Sequence, residues 1–289
     1  MTIRSLPAAP AGRPSAGVSF DLKPQALERW NPGIQAAQDE PNTISMLDAI
    51  GYDDWTGDGI TAKRVGGLLR SFGGEDVTIN MNSPGGDMFE GLAIYNMLRE
   101  YKGKVTVKVL GLSASAASIV AMAGDEIQIA RSGFLMIHNS WTIAMGNRHQ
   151  FRDLADTLEP FDAAMADIYS ARTGEDIEAM KALMDGETWI NGSAAVEQGF
   201  ADALLSSDEV QESAKASAHF AAAKKLDVIL AKQGMPRSER RALIQEIKSS
   251  TPSATQPGTH DAADNLADLA EPIADLERAL ARFSAAAIK

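Results

Sequence analysis

The chain has 289 residues, with 39 Asp and Glu against 27 Lys and Arg, a net charge of −12, 45% hydrophobic residues and no cysteine. That length suits one good-sized core with appendages. The charge argues against a protein whose main task is gripping nucleic acid or an anionic membrane, and the missing cysteines exclude a disulfide framework and a cysteine metal site. No early stretch is apolar enough for a signal peptide or a membrane span, so a cytoplasm-like compartment is expected.

Six of the 12 prolines fall in the first 41 residues and four in the last quarter, leaving only Pro84 and Pro160 between residues 42 and 235. Residues 1–42 therefore read as a flexible Pro-rich leader that adds little to the core, and 43–208 as one compact domain. Inside it, Val77, Ile79 and Met81 alternate with polar residues, as do Val105, Val107 and Val109, which predicts two strands. Phe89, Leu92, Tyr95 and Leu98 recur at helical spacing, and Leu154, Leu158, Phe161, Met165 and Ile168 predict a longer helix over about 152–171. Strands alternating with helices imply an α/β domain with largely parallel pairing.

The remainder divides by charge. Residues 209–250 read as a basic helical segment, two helices around Gly234-Met235-Pro236-Arg237-Ser238 with Ser238 as N-cap. Residues 251–289 read as a linker and an acidic amphipathic helix, on which Leu266, Leu269, Ile273, Leu276, Leu280 and Phe283 form a short heptad seam. That seam suits either docking on a partner or packing on the chain's own domain.

Three local features carry chemistry. Asn82-Ser83-Pro84-Gly85-Gly86-Asp87 joins a strand to a helix, and such a junction either presents backbone N–H groups to a negative charge or is an ordinary turn. Gly111 to Ser118 leads from the second strand into small residues; Ser115 there reads equally as an exposed nucleophile or as a cap on a tightly packed helix. His138 ends the apolar run Phe134-Leu135-Met136-Ile137 and is the one strong general-base candidate among four histidines, though a structural histidine is the commoner case. His138 and His149 have no Glu at metal-motif spacing, and no nucleotide-binding glycine motif is present; no cofactor is expected, and any ATP dependence would come from another chain.

In this order the features resemble the proteolytic subunit of the Clp protease, and more closely the Clp-like head maturation proteases of tailed phages and prophages. Asn82 to Gly86 looks like the family's oxyanion segment, Gly111 to Ala117 its nucleophile segment and Met136-Ile137-His138 its histidine segment. Glu187-Thr188-Trp189-Ile190 and then Ala195-Val196-Glu197-Gln198-Gly199-Phe200-Ala201-Asp202 resemble the acid segment and the terminal signature. The resemblance spans roughly 43–208, and the separations of 29 residues from Gly86 to Ser115 and 49 from His138 to Glu187 agree with it.

The resemblance implies a ClpP/crotonase-like fold of repeated ββα units with a handle helix near 152–171, a homo-oligomeric ring, and hydrolysis of protein substrates. It implies Ser115 as nucleophile, His138 as base, the N–H groups of Gly86 and Ala116 as oxyanion donors, and Glu187 as the acid, with Asp185 as substitute. The family's usual acid is Asp, so Glu187 is a departure, and Ala116-Ala117 and Asn139-Ser140-Trp141 are others. The leading expectation is a prohead protease cutting capsid or scaffold proteins; the alternatives are a housekeeping Clp subunit with an ATPase unfoldase ring, a catalytically degenerate assembly scaffold, and a crotonase-type acyl-thioester enzyme.

Overall fold

The computed structural model describes residues 22–37, 40–53, 58–142, 144–206, 210–212, 226–233, 235, 239–240, 242–244 and 246. All belong to one compact unit, Met1–Lys248. The acidic segment with its heptad seam, and Ser238, lie outside the described residues.

The fold is α/β, built on a mostly parallel seven-stranded sheet. Its spine runs β10 (Ala203–Leu204), β7 (Glu126–Ile129), β6 (Val105–Ala114), β5 (Val77–Ser83), β2 (Thr43–Met46), all parallel. Strand β6 is ten residues long and changes partner along its length. Thr106 to Val109 face β7, whereas Leu112 to Ala114 face β8 (Phe134–Ile137), which in turn pairs antiparallel with β9 (Thr188–Asn191). The sheet therefore forks at the C-terminal end of β6. The alternation at Val77 to Asn82 marks a strand as expected, but both faces of β5 are covered, so Asn80 and Asn82 are buried as well.

Helices close the faces. Helix α3 (Met88–Arg99) starts at Asp87, whose carboxylate accepts from the N–H groups of Phe89 and Glu90, an N-cap that fixes the turn after Gly86. Helix α4 (Ala116–Ala121) is entirely buried. The predicted long helix is α5 (Arg148–Thr173), opened by an Asn147–Gln150 capping box and closed by the left-handed Gly174. Pro160 lies inside it, so one backbone N–H is missing from its ladder. Helices α6 (Ile177–Asp185) and α7 (Gly192–Glu197) flank β9. Inside the unit the buried guanidinium of Arg172 bridges Gly124 O and the Asp202 carboxylate, tying α5 to the end of β7.

The leader is the main correction. Its second half is folded: α1 (Pro24–Arg29) and β1 (Ile34–Ala36) precede β2, and β1 pairs antiparallel with β11 (Val210–Glu212). Leu22, Ala26, Leu27 and Trp30 are buried against Ala49, Leu112, Ala114, Met136 and Val228. The Trp30 indole N–H donates to Asn82 O, and the Asn82 amide donates to Asn31 O and Ile34 O while its Oδ1 accepts from Leu112 N. Proline content misled here because Pro24 opens a helix instead of breaking one. Helical residues 226–232 of the basic segment also join this core, through Val228 and a Lys232–Glu28 ion pair, so these residues are part of that core and not separately organised. A short antiparallel pair, β3 (Gly51–Asp53) and β4 (Asp58–Ile60), and helix α2 (Ala62–Ser71) complete the unit.

Candidate active site

The site lies where the sheet forks. Ser115 is the first residue after β6 and His138 the first after β8, and these strands pair in register with Ala114 opposite Met136. Ser115 N extends the ladder by donating to Met136 O. The two side chains thereby converge, Ser115 Oγ lying 2.7 Å from His138 Nε2.

Ser115 adopts φ 56° and ψ −127°, a conformation that side-chain-bearing residues rarely hold. It does not cap α4 with its hydroxyl. The turn is held instead by Ser118, whose N–H and hydroxyl both bond Ser115 O and whose hydroxyl also meets the Tyr169 hydroxyl of α5. Burial pushes the Tyr169 phenol far above its ordinary range, keeping that link neutral.

Beside Ser115, two N–H groups are available. Ala116 is the first residue of α4, so its N–H has no intrahelical acceptor. The bridge between Ile50 and Gly86 uses Gly85 O and Asp87 N, which leaves Gly86 N–H outside it. Gly85 and Gly86 hold φ 92° and 144°; a Cβ on Gly85 would sit 2.6 Å from Ser115 Cβ, and one on Gly86 2.1 Å from Ile50 O. The glycines thus let the turn lie directly against the serine. A cleft opens there, its walls formed by Met88, Met165, Ser140 and Trp141 in addition to Ser115 and His138.

His138 is buried, and its pKa is lowered to about 4. Burial is the largest cause, the Lys23 ammonium adds to it, and the Glu187 carboxylate opposes both; the Asn139 backbone is the smallest influence, also upward. The imidazole is neutral near pH 7, as a general base must be. Its other nitrogen, Nδ1, is buried and makes no hydrogen bond of acceptable geometry.

The two carboxylates expected as the acid stand differently from Ser115 and His138. Glu187, at φ 48°, directs its carboxylate to the Lys23 ammonium and not to His138. Asp185 accepts from the Asn139 amide at 2.6 Å, one residue beyond the histidine, and likewise does not bond it. Asp162 of α5 accepts from both the N–H and the hydroxyl of Ser140; burial raises its pKa against those bonds. Sequence reasoning missed Lys23, which also lies 5.5 Å from the Trp141 ring centroid. Nothing in its local sequence marks it, because its role depends on α1 docking. Among the described residues, no three His, Asp or Glu side chains are grouped to hold a metal, and no helix is long and apolar enough to cross a membrane.

Known proteins similar to this chain point to one family. The family model described as Clp protease matches residues 68–208. ATP-dependent Clp protease proteolytic subunit 1 of Prochlorococcus marinus (strain MIT 9312) is 30% identical over 139 residues, 47% of this chain and 71% of that protein. Subunit 3 of Rhodococcus jostii (strain RHA1) is 29% identical over 135 residues, 46% of this chain and 66% of its own length. Among solved structures, an asparagine-to-aspartate variant of ClpP1 from Listeria monocytogenes overlaps with a TM-score of 0.47 at 20% identity, over 61% of this chain and 94% of that one. On the identity and coverage of the cyanobacterial subunit, the chain belongs to the Clp protease family, whose members are peptidases that cleave proteins as oligomeric rings.

Proposed function

We propose that this chain is a serine endopeptidase in which Ser115 attacks the scissile carbonyl and His138 takes its proton. The observation that carries this is the 2.7 Å approach of Ser115 Oγ to the buried, neutral His138 Nε2. The hydroxyl donates to Nε2, which places the ring's own proton on Nδ1. The tetrahedral oxyanion is held by the N–H groups of Gly86 and Ala116, the imidazolium returns its proton to the leaving amine, and water then releases the acyl group by the same route. Glu187 is the acid that orients the Nδ1–H when it reaches it, with Asp185 in reserve. The test is Ser115→Ala, expected to abolish peptide hydrolysis, together with a fluorophosphonate probe expected to label Ser115; labelling elsewhere, or hydrolysis by the variant, overturns the assignment.

The biological role proposed is maturation of phage or prophage proheads, with capsid or scaffold proteins as substrates, a homo-oligomeric ring as the working form and the host cytoplasm or prohead interior as its place. Its support is the resemblance of the motif set to head maturation proteases and the roughly 80 residues beyond the protease-like region, whose acidic heptad seam offers a docking element. Portal and major capsid genes beside this one, and loss of prohead incorporation on deleting residues 251–289, which leaves β11 and the Val228 helix in place, are the expected findings. A second reading, a subunit working with an ATPase ring, is favoured by the ATP-dependent subunits among its relatives. Co-purification with an unfoldase and ATP-stimulated degradation of folded substrates would decide for it.

A further inference from the structure

We infer that Lys23 is a positioning residue for the hydrolytic centre: it holds the Glu187 carboxylate away from His138, so the arrangement described here is a latched, resting form. The inference rests on the assignment of Ser115 and His138 made above.

Three observations meet at this residue. The Glu187 carboxylate is bound by the Lys23 ammonium, while the His138 Nδ1, buried on a ring only 6% exposed, makes no hydrogen bond of acceptable geometry, the neighbouring Asn139 backbone acting on the ring only weakly. A buried donor without an acceptor is costly, and a carboxylate is the group that serves an imidazole N–H in a serine triad. Glu187 is close enough for its charge to act on that ring, so the acceptor is present but engaged elsewhere. The second anchor of Lys23 is the Trp141 ring, which walls the cleft beside Ser115. A side chain of a bound peptide that stacks on Trp141 competes with Lys23 for that face, which couples substrate entry to release of the ammonium.

The third observation is where Lys23 sits. It is the N-cap residue of α1, and its own side chain makes no cap bond. The segment behind it is anchored through Ala26, Leu27 and Trp30, and Arg29 lies 4.3 Å from the ring centroid of Trp189, two residues beyond Glu187. The same segment packs on Ala114 and Met136, next to the nucleophile and the base. Lys23 can therefore swing off Glu187 without undocking α1. Released, the carboxylate is left with the nearby Nδ1–H as the unsatisfied donor to take.

The experiment uses the full chain carrying Lys23→Met, Lys23→Gln or Lys23→Arg, with hydrolysis of a fluorogenic peptide followed from pH 4 to 9. Lys23→Met and Lys23→Gln are expected to raise kcat at least about tenfold at neutral pH, the ceiling being the roughly 10⁴-fold that an orienting carboxylate contributes to a triad. They should also move the acid limb of kcat upward in pH, because a depressing charge leaves His138 and a raising one approaches. Lys23→Arg, which keeps the charge, should give neither change, and adding Glu187→Gln to Lys23→Met should erase the gain. Unchanged or reduced kcat in both neutral variants at an unaltered melting temperature overturns the latch, as does a gain that survives Glu187→Gln. If instead Ser115→Ala still hydrolyses the peptide, the underlying assignment has failed and not the latch alone.

Discussion

Ser115 and His138 are separated by 23 residues in sequence and by 2.7 Å between Oγ and Nε2, and the pairing of Ala114 with Met136 is what brings them together. Each side chain is carried one residue past the end of its strand, so the geometry of the pair is set by strand register and not by loop conformation. A functional pair built this way is held by the rigid part of the fold.

If the two act as one unit, their removal is not additive. Ser115→Ala and His138→Gln should each lower kcat by about a millionfold, and the double variant should be no worse than either alone. Multiplicative losses, measured with the same peptide, would mean that the two residues act independently.

The two glycines of the turn proposed to hold the oxyanion predict a different signature. Gly86→Ala brings a Cβ to within 2.1 Å of Ile50 O at φ 144°, and Gly85→Ala brings one to 2.6 Å of Ala114 O at φ 92°. Each substitution should destabilise the protein by more than about 1 kcal/mol, read by denaturant titration. Displacing one N–H donor should also cost about a hundred- to thousandfold in kcat. Fluorophosphonate labelling of Ser115 should fall in parallel; full labelling would remove Gly86 from the oxyanion site.

Acidity gives a third prediction. Because His138 has its pKa lowered to about 4, the base stays neutral well below the ordinary imidazole value of 6.5, and the acid limb of kcat/KM should fall near pH 4. The same shift bears on stability. The unfolded ring takes a proton as pH drops through 6.5, while the folded one resists until about 4, so this group favours unfolding progressively as pH falls between those values. His138→Gln should flatten that part of the stability profile, as followed by circular dichroism.

Asn82 carries the fourth. Its amide nitrogen serves Asn31 O and Ile34 O at once, and Asn82→Asp replaces that donor by a carboxylate facing two carbonyls. A loss of about 1–3 kcal/mol is expected, with faster proteolysis within residues 22–36. An unchanged cleavage rate there would show that the apolar contacts of Leu27 and Trp30 alone hold the segment.

The sequence made strands at 77–82 and 105–109, the helix at Asp87 and the long helix around Phe161 legible, because each repeats an apolar residue at one period for at least five positions. The proximity of Ser115 and His138 was legible through motif order. The N-terminal half-layer was not: α1 has six residues and β1 three, too few for a period to register, and their stability comes from Trp30 and Asn82, which meet across 52 residues. Lys23 stayed hidden for the same reason, its partner Glu187 lying 164 residues away. The resemblance implied Glu187 as the acid, whereas its engagement by Lys23 is a tertiary fact.

The described residues other than glycine with positive φ are Asn42, Ser115 and Glu187, two of which belong to the site. Such a backbone state costs on the order of 1–3 kcal/mol and persists only where surrounding structure enforces it. Glycine normally weakens a chain relative to alanine by roughly 0.5–1 kcal/mol, yet at position 115 that order should invert, with Ser115→Gly melting above Ser115→Ala. Position 115 would then be one where a side chain of any kind costs robustness, and the serine proposed as nucleophile would be kept there for reactivity and not for thermal endurance.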